Sequence, residues 1–324
     1  MPRSGRLARV ISPPMRASGA RLFRALGDRP VLAGSLGALT IAFSAIFVLL
    51  ADVQPSTAAI FRSAYALPLL GLLAWLERRR YGPGAPGQMR LALLAGVFFA
   101  VDLVMWHHAI NAVGAGLATV LGNTQVVFVA VLAWLVLGER PEGRVLVSIP
   151  IVLVGIVLIS GVVGADAYGA DPLLGGILGI GTGIAYAGFL LVLRQGNRDL
   201  RRPASPLFAA TLAAALAATV IGLPLGEVNL VPSWPAHGWL LLLALGVQVM
   251  GWLLISISLP RLDAAVTSVV LTIQPVGSVL LGIVLLREAP SALQLLGVAF
   301  ILSGLALTTL RPRRPMHLAE PEVG

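Results

Sequence analysis

The chain has 324 residues, 57% hydrophobic and only 11% charged, with a mean hydropathy of +0.92 and a formal net charge of +9. Soluble domains carry about 25% charged residues, so this composition marks a membrane protein. All 23 basic residues are Arg; without Lys or Cys there is no Walker lysine, Schiff-base lysine, cysteine nucleophile, iron–sulfur cluster or disulfide framework.

The first thirty residues hold seven Arg among scattered apolar side chains such as Leu7, Ile11 and Phe23. This stretch (1–30) reads as a basic cytoplasmic tail, either disordered or lying on an anionic membrane surface. The run at 31–51 is too long for the apolar core of a cleaved signal and reads as an uncleaved first span. Ten apolar runs follow in series, beginning near residues 31, 57, 90, 114, 145, 174, 206, 238, 263 and 292. At about 17–25 residues each, they satisfy their own backbone in hydrocarbon only as helices. The fold class expected is therefore an all-α polytopic membrane protein of ten transmembrane helices. Alternate segments ("ERRRYGPGAPGQMR", "ERPEGR", "RQGNRDLRRPAS", "PRLDA") and the two tails hold 21 of the 23 Arg. Positive loops stay cytoplasmic, which places both termini inside and the chain in the cytoplasmic (inner) membrane. Because the Arg are dispersed between apolar runs, anionic lipid headgroups rather than nucleic acid are the expected partner.

The chain repeats itself. A shift of 149 residues lays Ala115 on Ala264, Gln125 on Gln274, Glu139 on Glu288, Pro141 on Pro290 and Gly155 on Gly304. A shift of 142 lays Gly34, Leu36, Gly37, Thr40, Ala45 and Phe47 on Gly176, Leu178, Gly179, Thr182, Ala187 and Phe189. The reading is two five-helix repeats, 31–163 and 174–311, joined by a periplasmic connector at 164–173 and followed by a C-terminal tail at 312–324. Five crossings per repeat invert the second copy, and inverted repeats meeting at mid-membrane are a secondary-transporter architecture.

The repeated phrase of a polar Gln segment, an aliphatic helix and a terminal Glu before Pro ("NTQVVFVAVLAWLVLGERP" and "TIQPVGSVLLGIVLLREAP"), with Arg62 early in the second span, resembles the EamA-type ten-helix transporters of the drug/metabolite transporter superfamily. The resemblance covers about residues 31–311. It implies secondary transport of small polar metabolites, often amino-acid export, through a cavity lined by spans one, three, four, six, eight and nine. The first half departs by having Val126 where the second has Pro275, which removes the residue expected to kink span four.

Charge deep in hydrocarbon costs at least a few kcal/mol, so it marks a partner or a wet cavity. Only Arg62 and Asp102 qualify, about 9 Å and about 13 Å from the outer loops at 1.5 Å per residue. Those depths put a pair within reach. Either Asp102 binds a substrate amine or titrates during transport, with Arg62 setting its charge, or the two form a static ion pair. Trp106 shares the Asp102 face, and the matching span offers Gln248 and Trp252; an indole beside a carboxylate suits an ammonium group. Asn123, Gln125, Thr272 and Gln274 cluster at mid-span, where unsatisfied polar groups are costly, and read as contacts to substrate or water. Ser44 and Tyr186 lie on matching stripes of spans one and six, while Gly179 and Gly183 read as helix packing. His107 and His108 invite a metal or proton-relay reading, but adjacent helical residues point about 100° apart and no third ligand follows, so neither metal nor cofactor is expected. Glu139 and Glu288 end their helices and read as solvated structural charges, with a gating or coupling role as the alternative. The leading expectation is an alternating-access exporter of small polar or amphipathic metabolites, with proton coupling open and a homodimer compatible. A passive channel, and behind it a membrane enzyme using Asp102 and the histidine pair, are the alternatives.

Overall fold

The computed structural model describes residues 29–138, 140–164, 166–196, 199, 201–258, 262 and 264–309. Its elements are α1 (Pro30–Ala42), α2 (Ser44–Ala51), α3 (Pro55–Tyr81), α4 (Pro86–Val113), α5 (Ala115–Gly122), α6 (Gln125–Leu137), α7 (Gly143–Ile159), α8 (Pro172–Gly196) and α9 (Ala204–Leu225). Then come α10 (Trp234–Leu242), a π-helix (Leu243–Gly251), α11 (Trp252–Ser258), α12 (Ala264–Leu286) and α13 (Ala292–Thr309). The N-terminal tail, Glu139 and the C-terminal tail lie outside the described residues.

Punctuation in the sequence sets these boundaries. Pro30, Pro55 and Pro86 open helices at the first turn, where the missing N–H costs nothing. Gly114 and Gly138 end them at positive φ, +90° and +71°. Among the described residues, seven helical stretches are long and apolar enough to cross a membrane; α7, α13 and the Val270–Leu286 part of α12 are further apolar helical stretches. Many Leu, Val and Ile side chains on these helices face outward, as lipid contact requires.

Helices of the first half pack chiefly on helices of the second: α3 on α9, α4 on α8, α7 on α13, and α12 on both α1 and α5. The α7–α13 seam shows the duplication in atomic detail. Gly155 faces Ile301, with 2.6 Å between the position of an added Cβ and Cγ1, and Gly304 faces Val152 at 2.5 Å. Each member of one contact lies 149 residues from its counterpart in the other, so the two contacts are reciprocal.

Among the described residues, two spans are interrupted partway along their length. The first breaks at Phe43, and Ser278 of α12 donates to the Ala42 carbonyl at the break, 2.9 Å away. The fourth breaks between Gly122 and Gln125, whereas α12, which carries Pro275, runs unbroken. This reverses the expectation from Val126 and Pro275. Here side chains rather than a missing N–H interrupt the ladder: Asn123 Nδ2 donates to Thr119 O (2.8 Å) and Thr124 Oγ1 to Leu121 O (2.6 Å).

Candidate functional site

The two breaks and α4 converge on a partly open cavity with about 450 Å³ of non-atom space including its mouth. Its walls are Ile41 and Ser44 of span one, Arg62 of α3, Phe99, Asp102, Leu103 and Trp106 of α4, and Thr119, Gly122 and Asn123 of span four. Thr182 and Tyr186 of α8, Trp252 of α11 and Gln274 of α12 complete it. Both halves therefore contribute.

Arg62 is buried at 4% exposure and held by neutral acceptors. Its Nε donates to Gln248 Oε1 (2.9 Å) and its Nη1 to Ser44 Oγ (3.0 Å). The guanidinium also lies 5.9 Å from the ring centres of Phe99 and of Trp106, within cation–π range. Asp102 borders the same space, yet among the described residues no ion pair joins it to Arg62. Of the two readings that depth left open, the direct ion pair is not formed; Gln248 and Ser44 take two of the guanidinium donors, and the two charges face the same cavity. Gln248 reaches it from the π-helix, whose extra residue per turn re-aims side chains and commonly occurs at functional sites.

Tyr186 and Trp252 bring an aromatic cluster to the cavity. Tyr186 stacks on Phe189 with centroids 5.9 Å apart, and Trp252 meets both edge-on, at 6.3 and 6.1 Å. Two buried polar atoms here, Thr182 Oγ1 and Trp252 Nε1, have no protein partner.

Of the residues singled out in the sequence, Ser44, Arg62, Asp102, Trp106, Asn123, Tyr186, Trp252 and Gln274 line the cavity. Gln248 stands behind Arg62, and neither Gln125 nor Thr272 is part of the lining. Phe99 and Leu103 were missed, although both lie within one turn of Asp102 on α4. The histidines do not face the cavity: His107 is buried with Nδ1 on the Pro55 carbonyl (2.9 Å), and His108 Nε2 pairs with Glu227 (3.0 Å). Among the described residues no group of three or more His, Cys, Asp or Glu is placed to hold a metal ion.

Glu288 corrects a second expectation. It is buried rather than solvated, and it accepts hydrogen bonds from Ala115 N and Gly116 N (3.1 Å for the latter) at the start of α5 in the other half. Burial pushes its carboxyl above the usual carboxylate range, with the two backbone donors pulling the other way. Gly114, at φ +90°, lets the chain turn from α4 into α5 directly against this carboxylate.

The chain matches the EamA-like transporter family over residues 29–161 and 173–310, one match per half. It belongs to that family, and so to the drug/metabolite transporter superfamily of multi-pass membrane proteins. One solved crystal structure superposes with a TM-score of 0.57 over 87% of this chain and 96% of the other, at 18% identity, which speaks to a shared fold alone. No curated protein matches the chain in sequence.

Proposed function

We propose that the chain is a secondary transporter that exports small polar or amphipathic metabolites such as amino acids, by alternating access through ten membrane crossings. The observation that carries this reading is one cavity, shared by two duplicated halves, that holds a cation and a carboxylate not paired with each other. Arg62, whose acceptors are neutral, keeps its charge for a substrate carboxylate. Asp102 serves a substrate amine or carries a proton between the two faces. The rings of Tyr186 and Trp252, which line the cavity, give an apolar side group somewhere to rest. The family membership supports transport as such. The distribution of Arg supports insertion in the cytoplasmic membrane with both termini inside and anionic lipids against the Arg-rich loops.

Counterflow of radiolabelled amino acids in proteoliposomes, with and without a proton gradient, tests the proposal. Saturable exchange that Asp102→Asn abolishes supports it. Linear, non-saturating flux would favour a passive pore, and unchanged pH dependence in folded Asp102→Asn would remove the proton role.

A further inference from the structure

The antiparallel pair α3 and α9, spans two and seven, is fastened at both ends by the same device. At the Arg-rich end, Glu77 of α3 accepts from Ala204 N (2.8 Å), Ser205 N (2.8 Å) and Ser205 Oγ (2.7 Å), the first residues of α9. At the opposite end Glu227, just beyond α9, accepts from Ser56 N (3.2 Å) and Ser56 Oγ (2.5 Å) in the first turn of α3. Each carboxylate thus caps the positive N-terminus of a helix from the other half. Ser56 and Ser205 are 149 residues apart, the spacing of the duplication, and Glu77 and Glu227 are 150 apart. Each clasp is reinforced locally: Arg202 donates to the Tyr81 and Gly82 carbonyls, and Thr57 Oγ1 to Glu227 O.

A carrier built from inverted repeats turns over when its halves exchange conformations. A contact that gates one face in one state is replaced, after the exchange, by its counterpart on the other face. Contacts already present at both ends of the molecule in a single state map onto each other in that exchange and need not break. We infer that Glu77 and Glu227 are positioning residues that hold spans two and seven as one fixed pair through the transport cycle. The inference rests on the alternating-access reading above. Because Arg62 sits on α3, the clasps also hold its depth constant while other spans move around it.

The chain has no Cys, so introduced thiols can carry spin labels selectively. Distances are measured in vesicles of phosphatidylethanolamine and phosphatidylglycerol for three pairs: Gln54→Cys/Leu223→Cys at one end of α3 and α9, Leu76→Cys/Leu212→Cys toward the other, and Val162→Cys/Leu230→Cys between connecting loops. The first two pairs are expected to give one narrow distance each, and the third two distances. Introducing Glu77→Ala/Glu227→Ala should cost the first two pairs their single narrow distance, and Ser56→Ala/Ser205→Ala should do so more mildly if the double Glu variant does not fold. Two distances at either α3–α9 pair with the clasps intact would overturn the inference while leaving transport standing. So would unchanged narrow distances in the folded clasp variants. One distance at all three pairs would instead contradict alternating access itself, and with it the cycle through which the pair is held.

Discussion

Replacing Gln248 by Leu tests how the site holds its cation. Gln248 is fully buried, its Oε1 accepts the Arg62 Nε–H at 2.9 Å, and its Nε2 reaches Thr211 Oγ1 only at 3.5 Å. Leu preserves volume but leaves a buried guanidinium donor without an acceptor. A hydrogen bond to a charged group contributes about 1.5–3 kcal/mol, and one at 3.5 Å adds little. With Ser44 Oγ still accepting at 3.0 Å, the expected loss is about 2 kcal/mol, roughly a 30-fold fall in the folded-to-unfolded ratio. Equilibrium unfolding in mixed detergent micelles, followed by tryptophan fluorescence, reads this directly. Gln248→Glu restores an acceptor and is expected to recover most of the stability. Its negative charge would also occupy Arg62, so transport of a carboxylate-bearing substrate should fall further than in Gln248→Leu. A Gln248→Leu variant as stable as wild type, or a Gln248→Glu variant no better than Gln248→Leu, would refute this role for Gln248.

At the α4–α9 seam, a Cβ on Gly96 would clash with the Ala210 carbonyl and stand 2.7 Å from Ala213 Cβ, whereas Gly238 has nothing within 4 Å. Gly96→Ala should therefore cost about 1–3 kcal/mol in the same unfolding assay, and Gly238→Ala should show no such loss. The raised value at Glu288 means that its stabilising contribution is fully present below the ordinary 4.5 and is lost as pH rises through the raised value. Glu288→Gln should accordingly flatten the stability–pH curve above pH 4.5, and Glu288→Ala, which strips both backbone donors of α5, should cost about 1–2 kcal/mol. Reporter domains fused after residues 142 and 289 should map to opposite sides of the membrane, as inversion of the second half requires.

The helix boundaries were legible because Pro and Gly act locally: Pro30, Pro55 and Pro86 open helices, and Gly114 and Gly138 close them. The duplication was legible too, and the reciprocal contacts of Gly155 and Gly304 are its physical form. Most of the cavity lining followed from asking which polar side chains sit too deep to be left alone. What could not be read was choice of partner. Depth put Arg62 near Asp102, but the guanidinium chose Gln248 and Ser44, one presented by a π-helix and the other by a broken first span. Glu288 looked solvated beside Arg287, yet its partner lies 173 residues away at Ala115, beyond the reach of any local pattern. The break in span four was misplaced for a related reason. Proline is a visible breaker, whereas Asn123 and Thr124 act by turning their side chains back onto their own helix.

Accessibility of the cavity from each side of the membrane tests the central claim most directly. Thr182 lines the cavity and its hydroxyl bonds to nothing in the protein, so Thr182→Cys places one thiol there in an otherwise Cys-free chain. In oriented vesicles a membrane-impermeant thiol reagent should modify that residue from either face, with protection by a transported amino acid. Modification from one face only, whatever the substrate or pH gradient, would contradict alternating access.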